Sequence, residues 1–224
     1  MTVAGVVNFT LRGISRTICE IDDTELNRIP TEGPLILAGN HVNFLDAPIL
    51  LSHLQPRKVV PLAKVETWRN PFIGMLFSQW ESIPIRRGEA DMGAFREALR
   101  VLKEGKILVI APEGTRSGNG RLQKGQPGIV PLAIRSGAPI LPIASFGSEV
   151  FWHNIKGFSR TPFTMRVGRP FRLKYDGALP SRDEREMMTT EIMYQIAALL
   201  PAKYRGYYSD MENATQKYLE FSSE

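Results

Sequence analysis

Cysteine is nearly absent. Cys19 is the only one in 224 residues, so an intramolecular disulfide is excluded and no cysteine-based metal site is suggested. A reducing, cytoplasmic setting fits that usage. Long apolar runs are missing as well: no stretch of eighteen or more apolar residues occurs, so a membrane-spanning helix is not expected. The opening MTVAGVVNFTLRGISRTICEI has no leading positive cluster and no small-residue cleavage site, so a signal peptide is not expected either. No dense Lys/Arg run with interleaved aromatics occurs, which disfavours nucleic acid as a partner. His41, His53 and His153 show no paired ligand spacing, and no metal is expected. No internal repeat or low-complexity linker marks a domain boundary. One domain over residues 1–224 is the expectation.

What is present is globular in composition, with 43% hydrophobic and 23% charged residues, enough for one substantial core. The net charge of +5 suits either an ordinary soluble surface or attraction to anionic lipid or an acidic substrate. In residues 1–20, Val3, Val7, Leu11, Ile14 and Ile18 recur at spacings of three and four, with Arg12, Ser15 and Arg16 largely between them. That periodicity predicts a short amphipathic helix, docked on the core or lying on a membrane. Apolar runs at Leu35–Ala38, Val59–Leu62, Ile83–Ile85, Ile107–Ala111 and Ile140–Ala144 read as buried strands. Phe163–Val167 and Phe171–Tyr175 read as two more. Helices are expected over Asp91–Glu104, with Gly105 ending it, and over Arg182–Leu200, with Ser181 and Glu184 in capping-box spacing. Strands alternating with helices predict an α/β domain with a mixed, largely parallel central sheet flanked by helices.

Four polar or proline-marked blocks follow predicted strands. In NHVNFLD, His41 and Asp46 are five apart, which on one regular helix would separate them by about 140°. A loop leading into a helix can instead bring them together, with Pro48 in the helix's first turn. Asp46 would then orient the imidazole and leave one nitrogen as a base, or it would merely cap its helix. In IPIRRG, a strand delivers Arg86 and Arg87 to a turn. Adjacent residues of an extended chain point oppositely, so one of them is expected to face the cleft, where guanidinium suits phosphate. APEGTRS crowds Glu113, Thr115 and Arg116 at a strand's C-terminal end, where α/β sheets place ligands. There Arg116 could hold a phosphate, Glu113 could orient it or a substrate hydroxyl, and Gly114 permits close backbone approach. SGAPILPIA, Ser136–Ala144, is chemically inert and is expected to form a wall. Thr67–Trp80 is rich in large apolar side chains, notably Trp68, Phe72, Met75, Phe77 and Trp80. It reads as a buried amphipathic helix or a bilayer-interface segment.

These blocks, in this order, resemble the glycerophospholipid acyltransferase family, the 1-acylglycerol-3-phosphate acyltransferases. NHVNFLD is similar to the family's His-x4-Asp block, IPIRR to its arginine block, PEGTRS to its Glu-Gly-Thr-Arg block and APILPI to its proline block. The resemblance spans roughly residues 35–143, the expected catalytic core. It implies His41 as general base, Asp46 as its orienting partner, and Arg87 as the family's arginine. Glu113, Gly114, Thr115 and Arg116 would line the acceptor's phosphate site. One departure stands out: where many relatives carry a lysine this chain has Gln126, and Lys124 could supply the charge. The implied reaction moves an acyl group from acyl-CoA or acyl carrier protein, as co-substrate, to a lysophospholipid acceptor, without a cofactor. The implied location is the cytoplasmic face of a membrane, attached peripherally or monotopically. Another acceptor such as glycerol 3-phosphate, a non-catalytic lipid-binding module and a thioesterase are the alternatives. Oligomeric state is not legible.

Overall fold

The computed structural model describes residues 3–86, 88, 91–177 and 179–221. Among them, β1 (Cys19–Asp22), β2 (Leu35–Gly39), β3 (Val59–Lys64), β4 (Ile83–Ile85), β5 (Ile107–Ile110), β6 (Ile140–Phe146), β7 (Thr161–Val167), β8 (Phe171–Leu173) and β9 (Leu219–Phe221) form one sheet. Its main path runs β1-β7-β6-β2-β5-β3-β4, with β8 beside β6 and β9 beside β8. The strands β6, β2, β5, β3 and β4 are mutually parallel, whereas β7 and β8 run antiparallel to β6. The sheet is therefore mixed and largely parallel, as the alternation predicts.

Helices α1 (Val3–Ile18), α2 (Asp46–His53), α3 (Pro71–Gln79), α4 (Met92–Lys103), α5 (Ile129–Ser136), α6 (Phe151–Lys156) and α7 (Arg182–Ala198) complete the chain. A sheet covered on both faces needs apolar residues on both sides of its central strands, and every residue of β2 is buried. Alternation then divides β2 cleanly. Ile36 and Ala38 pack with α4, α5 and α7, while Leu35 and Leu37 pack with α1, α2 and α3. The two expected long helices form where their caps place them. The Asp91 side chain accepts from Ala94 N–H before α4, and Ser181 with Glu184 makes the full capping box of α7. Helix α5 contains Pro131, which is accommodated because a first turn needs no N–H donor there.

Helix α1 docks on the core and also keeps an apolar face outward. Val7, Leu11 and Ile18 pack inward, but Ile14, expected on that stripe, is exposed together with Val6 and Phe9. Arg12, Ser15 and Asn8 turn inward toward α2 and the end of α3, while Thr10, Arg16 and Thr17 are exposed. Arg12 donates to the carbonyls of Ser52 and Gln55 at the end of α2, and buried Asn8 accepts from the Trp80 indole at 3.0 Å. Buried His53 pairs with Asp23 at 2.6 Å, and Asp23 also takes Arg16 at 2.7 Å. Thr67–Trp80 divides as well. Trp80 is core, Trp68 and Phe77 are half-buried, and Phe72, Ile73 and Met75 of α3 are the exposed members.

The C-terminal segment closes over the loop that follows β5. Leu122 N–H donates to Tyr204 C=O at 2.9 Å, Tyr207 N–H donates to Leu122 C=O at 2.9 Å, and Gly125 N–H donates to the Tyr208 hydroxyl at 3.0 Å. Gly206 makes this contact possible: its φ is 50°, and a β-carbon there would lie 2.2 Å from the Leu122 carbonyl oxygen. We expect Gly206→Ala to cost on the order of 2–3 kcal/mol by overpacking. That corresponds to a Tm lower by roughly 5–10 °C, measurable by thermal unfolding. An unchanged Tm would show that the tail does not grip this loop.

Candidate active site

The C-terminal ends of β2, β5 and β3 open onto one cavity of about 360 Å³. His41, Thr115, Arg116 and Lys64 stand among its polar lining residues. Its apolar walls come from α2, α3 and the strands, including Leu50, Leu76, Phe77, Val109, Ile143 and Met165. Lys64, the exposed last residue of β3, joins Arg116 in lining the cavity. The strand read from the sequence ends at Leu62 and so passes over Lys64, two residues further on.

The β2–α2 loop is organised around one buried carboxylate. Asp46 starts α2, and its Oδ2 accepts from His41 Nδ1 at 2.7 Å, Val42 N–H at 2.7 Å and Asn43 N–H at 2.8 Å. A carboxylate can only accept, so Nδ1 carries the proton of the neutral imidazole and Nε2 presents its lone pair. Arg116 Nε–H donates toward that lone pair at 3.4 Å. The Ser145 hydroxyl approaches Asp46 Oδ1 at 3.5 Å. Asn43 tightens the turn by accepting from Leu45 N–H at 2.9 Å and donating to Ser148 C=O at 2.8 Å. Asn40 extends the β2–β6 pairing with its side chain, donating to Ser145 C=O and accepting from Ser145 N–H, each at 2.8 Å. The amide groups of Asn40 and Asn43 lie within the block NHVNFLD, but only the fold supplies their partners.

The backbone of His41 is gripped by the loop after β5. Glu113, only 4% exposed, accepts His41 N–H through one oxygen and Gln123 N–H through the other, both at 2.9 Å. Ser117 N–H donates to His41 C=O at 2.8 Å, and Gly118 N–H to Val42 C=O at 2.9 Å. Burial pushes the Glu113 carboxyl above its usual range, opposed by the N–H groups of Gln123 and His41. Burial likewise pushes the Tyr208 hydroxyl, beneath Gly125, up to about 12. Gly114 adopts φ 69°, the left-handed turn that sends the chain on to Thr115 and Arg116.

The residues singled out in the sequence therefore part company. His41, Asp46, Thr115 and Arg116 meet at the cavity. Both oxygens of Glu113 are taken by backbone donors. Lys124 lies away from the cavity lining, exposed and 3.8 Å from Glu186 of α7. Arg86 is exposed and its N–H is bound by Asp91, while Arg87 lies outside the described residues. If Glu113 braces His41, then Glu113→Gln must turn an amide NH₂ toward one backbone N–H. We expect a stability loss of about 1–3 kcal/mol, read by denaturant unfolding, with Glu113→Ala at least as costly.

Known proteins resemble this chain in sequence and in fold. The family model described as Acyltransferase matches residues 20–145. A 1-acyl-sn-glycerol-3-phosphate acyltransferase of Limnanthes alba is 36% identical over 146 residues, 62% of this chain and 51% of that protein. One of Bacillus subtilis is 26% identical over 175 residues, 76% of this chain and 83% of that protein. The chain thus spans about half the length of the plant relatives it matches. In fold it is similar to the crystal structure of the 1-acyl-sn-glycerophosphate acyltransferase PlsC from Thermotoga maritima. The TM-score is 0.65 at 22% identity, covering 88% of this chain and 78% of that one. The match takes in more than half of the sequence and both loops that meet around His41, and the chain belongs to the acyltransferase family.

Proposed function

We propose that this chain transfers a fatty acyl group from an acyl thioester to the free hydroxyl of 1-acylglycerol-3-phosphate. The observation that carries the reading is His41, held by Asp46 through Nδ1 and lining, with Arg116 and Lys64, a cavity whose other walls are largely apolar. The acceptor hydroxyl is a poor nucleophile at neutral pH. As its oxygen attacks the thioester carbonyl, Nε2 takes the proton. Collapse of the tetrahedral intermediate breaks the carbon–sulfur bond, and the imidazolium returns the proton to the departing thiolate. Asp46 keeps the ring in the required tautomer, and Glu113 holds the backbone of His41 from the opposite side. Arg116 and Lys64 would bind the acceptor's phosphate, so that orientation supplies several kcal/mol of the barrier reduction. The apolar walls would take an acyl chain.

The donor is acyl-CoA or acyl carrier protein, and no cofactor enters these steps. Direct transfer fits the placement of Cys19, which is wholly buried at the start of β1. Among the described residues no helix is long and apolar enough to cross a membrane. Exposed Phe9 of α1 and Phe72 of α3 support attachment at a membrane surface.

The direct test is turnover of labelled acyl-CoA and acyl carrier protein against a panel of phosphate-bearing acceptors. His41→Ala should lower kcat by about 10²–10⁴-fold while circular dichroism shows the fold retained, with a smaller loss for Asp46→Asn. Near-normal transfer by folded His41→Ala would refute the base assignment. Thioester turnover independent of acceptor would favour a hydrolase instead.

Arg116→Ala should raise the acceptor's apparent KM far more than the donor's, with a fall in kcat if the hydroxyl is misplaced. Equal effects on both substrates would count against a phosphate site at Arg116.

A further inference from the structure

A second aromatic projection is joined to the cavity through Phe44. Helix α6 and the turn after it carry Val150, Trp152, Ile155 and Phe158 on the surface, with Trp152 64% and Phe158 99% exposed. Phe158 also adopts φ 52°, a left-handed conformation that bulky side chains rarely enter. The turn is held there by its own backbone. Phe158 N–H donates to Ile155 C=O at 3.3 Å, and Ser159 N–H to Asn154 C=O at 2.9 Å. A strained backbone that presents a bare phenyl ring to solvent gains nothing for the fold, which directs attention to what the ring meets.

The root of this projection is rigid and continuous with the site. Phe151 is buried beneath it, stacking edge-on with Trp152 at 5.1 Å and with Phe44 at 5.4 Å. Trp152 lies 5.5 Å from Phe44, and Phe44 lines the cavity beside His41. Arg160 donates to the carbonyls of Arg16 and Cys19, which ties the same turn to the end of α1. Residues 150–160, VFWHNIKGFSR, contain no acidic side chain but hold Lys156 and Arg160. Tryptophan and phenylalanine flanked by cations suit the interface of an anionic bilayer.

We propose that α6 and its turn form a membrane-inserting finger, with Trp152 and Phe158 entering the headgroup region of an anionic bilayer and Lys156 meeting its phosphates. The finger seats the cavity mouth against the lipid surface, so that a lipid acceptor can pass Phe44 to His41 without crossing water. Delivery of the acceptor rests on the function proposed above; insertion itself does not.

The test uses the full chain carrying Trp152→Ser and Phe158→Gly, with vesicles of phosphatidylcholine alone or mixed with phosphatidylglycerol. Removing two inserted aromatic side chains should weaken vesicle binding on the order of tenfold or more. Phe158→Gly alone should weaken binding while Tm holds or rises, because glycine relieves the left-handed strain at that position, whereas Trp152→Ser also gives up ring contacts with Phe44 and Phe151. Lys156→Glu should weaken binding only to the vesicles containing phosphatidylglycerol. Turnover of vesicle-borne lysophosphatidate should fall with binding, while turnover of a short-chain, water-soluble lysophosphatidate stays at the wild-type rate. Wild-type vesicle affinity in the double variant would overturn the proposal. So would a fall in Tm that accompanies lost binding in Phe158→Gly alone, since that marks a structural role. A defect confined to acyl carrier protein as donor would also overturn it, assigning the surface to that protein. Wild-type protein that binds vesicles through this finger yet transfers to neither acceptor would sink the function and leave the finger standing.

Discussion

Three donors converge on a single oxygen of Asp46, and the geometry around His41 depends on that convergence. A carboxylate buried this far loses its hydration, and charge-assisted hydrogen bonds of about 1.5–3 kcal/mol each offset that loss. Two of the three come from successive backbone N–H groups, Val42 and Asn43, so the carboxylate shapes the turn as well as orienting the ring. The turn in turn delivers Asp46 to the start of α2, where a negative charge is favoured by the helix dipole. One side chain therefore sets the tautomer of the imidazole, the path of the loop and the beginning of the helix.

A second buried carboxylate, Glu113, completes the arrangement from the neighbouring strand. Because β2 and β5 are parallel and adjacent, their following loops leave the sheet at the same edge, and Glu113 can reach His41 N–H. The loop it belongs to is long and polar, and its shape is borrowed from elsewhere in the chain. Tyr204, Gly206 and Tyr208 pack on it from the C-terminal segment, beyond the matched residues 20–145. Glu149 adds a further tie, accepting from Gly147 N–H at 3.0 Å and from the Tyr204 hydroxyl. The site is thus built by matched residues and held in shape partly by unmatched ones.

The surface around the mouth is organised by the same topology. Helices α1 and α3 cover one face of the sheet and leave Phe9 and Phe72 outward. The aromatic stack Phe44–Phe151–Trp152 runs from the loop that carries His41 to α6. Through Phe44 that stack reaches the cavity itself.

Much of this was legible in the residues alone. Period-two and continuous apolar runs identified the central strands, and capping chemistry placed α4 and α7, because both signals are local. The order of four blocks pointed to the family, and the spacing of His41 and Asp46 allowed a meeting only off a regular helix, as at a loop-to-helix junction. Among the short elements, β4 and β8 were read from their apolar residues, whereas β1, β9 and α6 were not legible, because so few residues carry little periodicity. The partition of Thr67–Trp80 into buried Trp80 and exposed Phe72 also escaped the sequence, as apolar character is the same on either side of a helix. Glu113 and Arg116 are chemically alike in promise, three residues apart in one polar loop. Only the packing of β5 against β2 turned one inward to the backbone of His41 and left the other at the cavity. Sequence determines which groups are available and which local turns they favour; long-range contacts decide which of those groups are buried, paired or left facing a substrate.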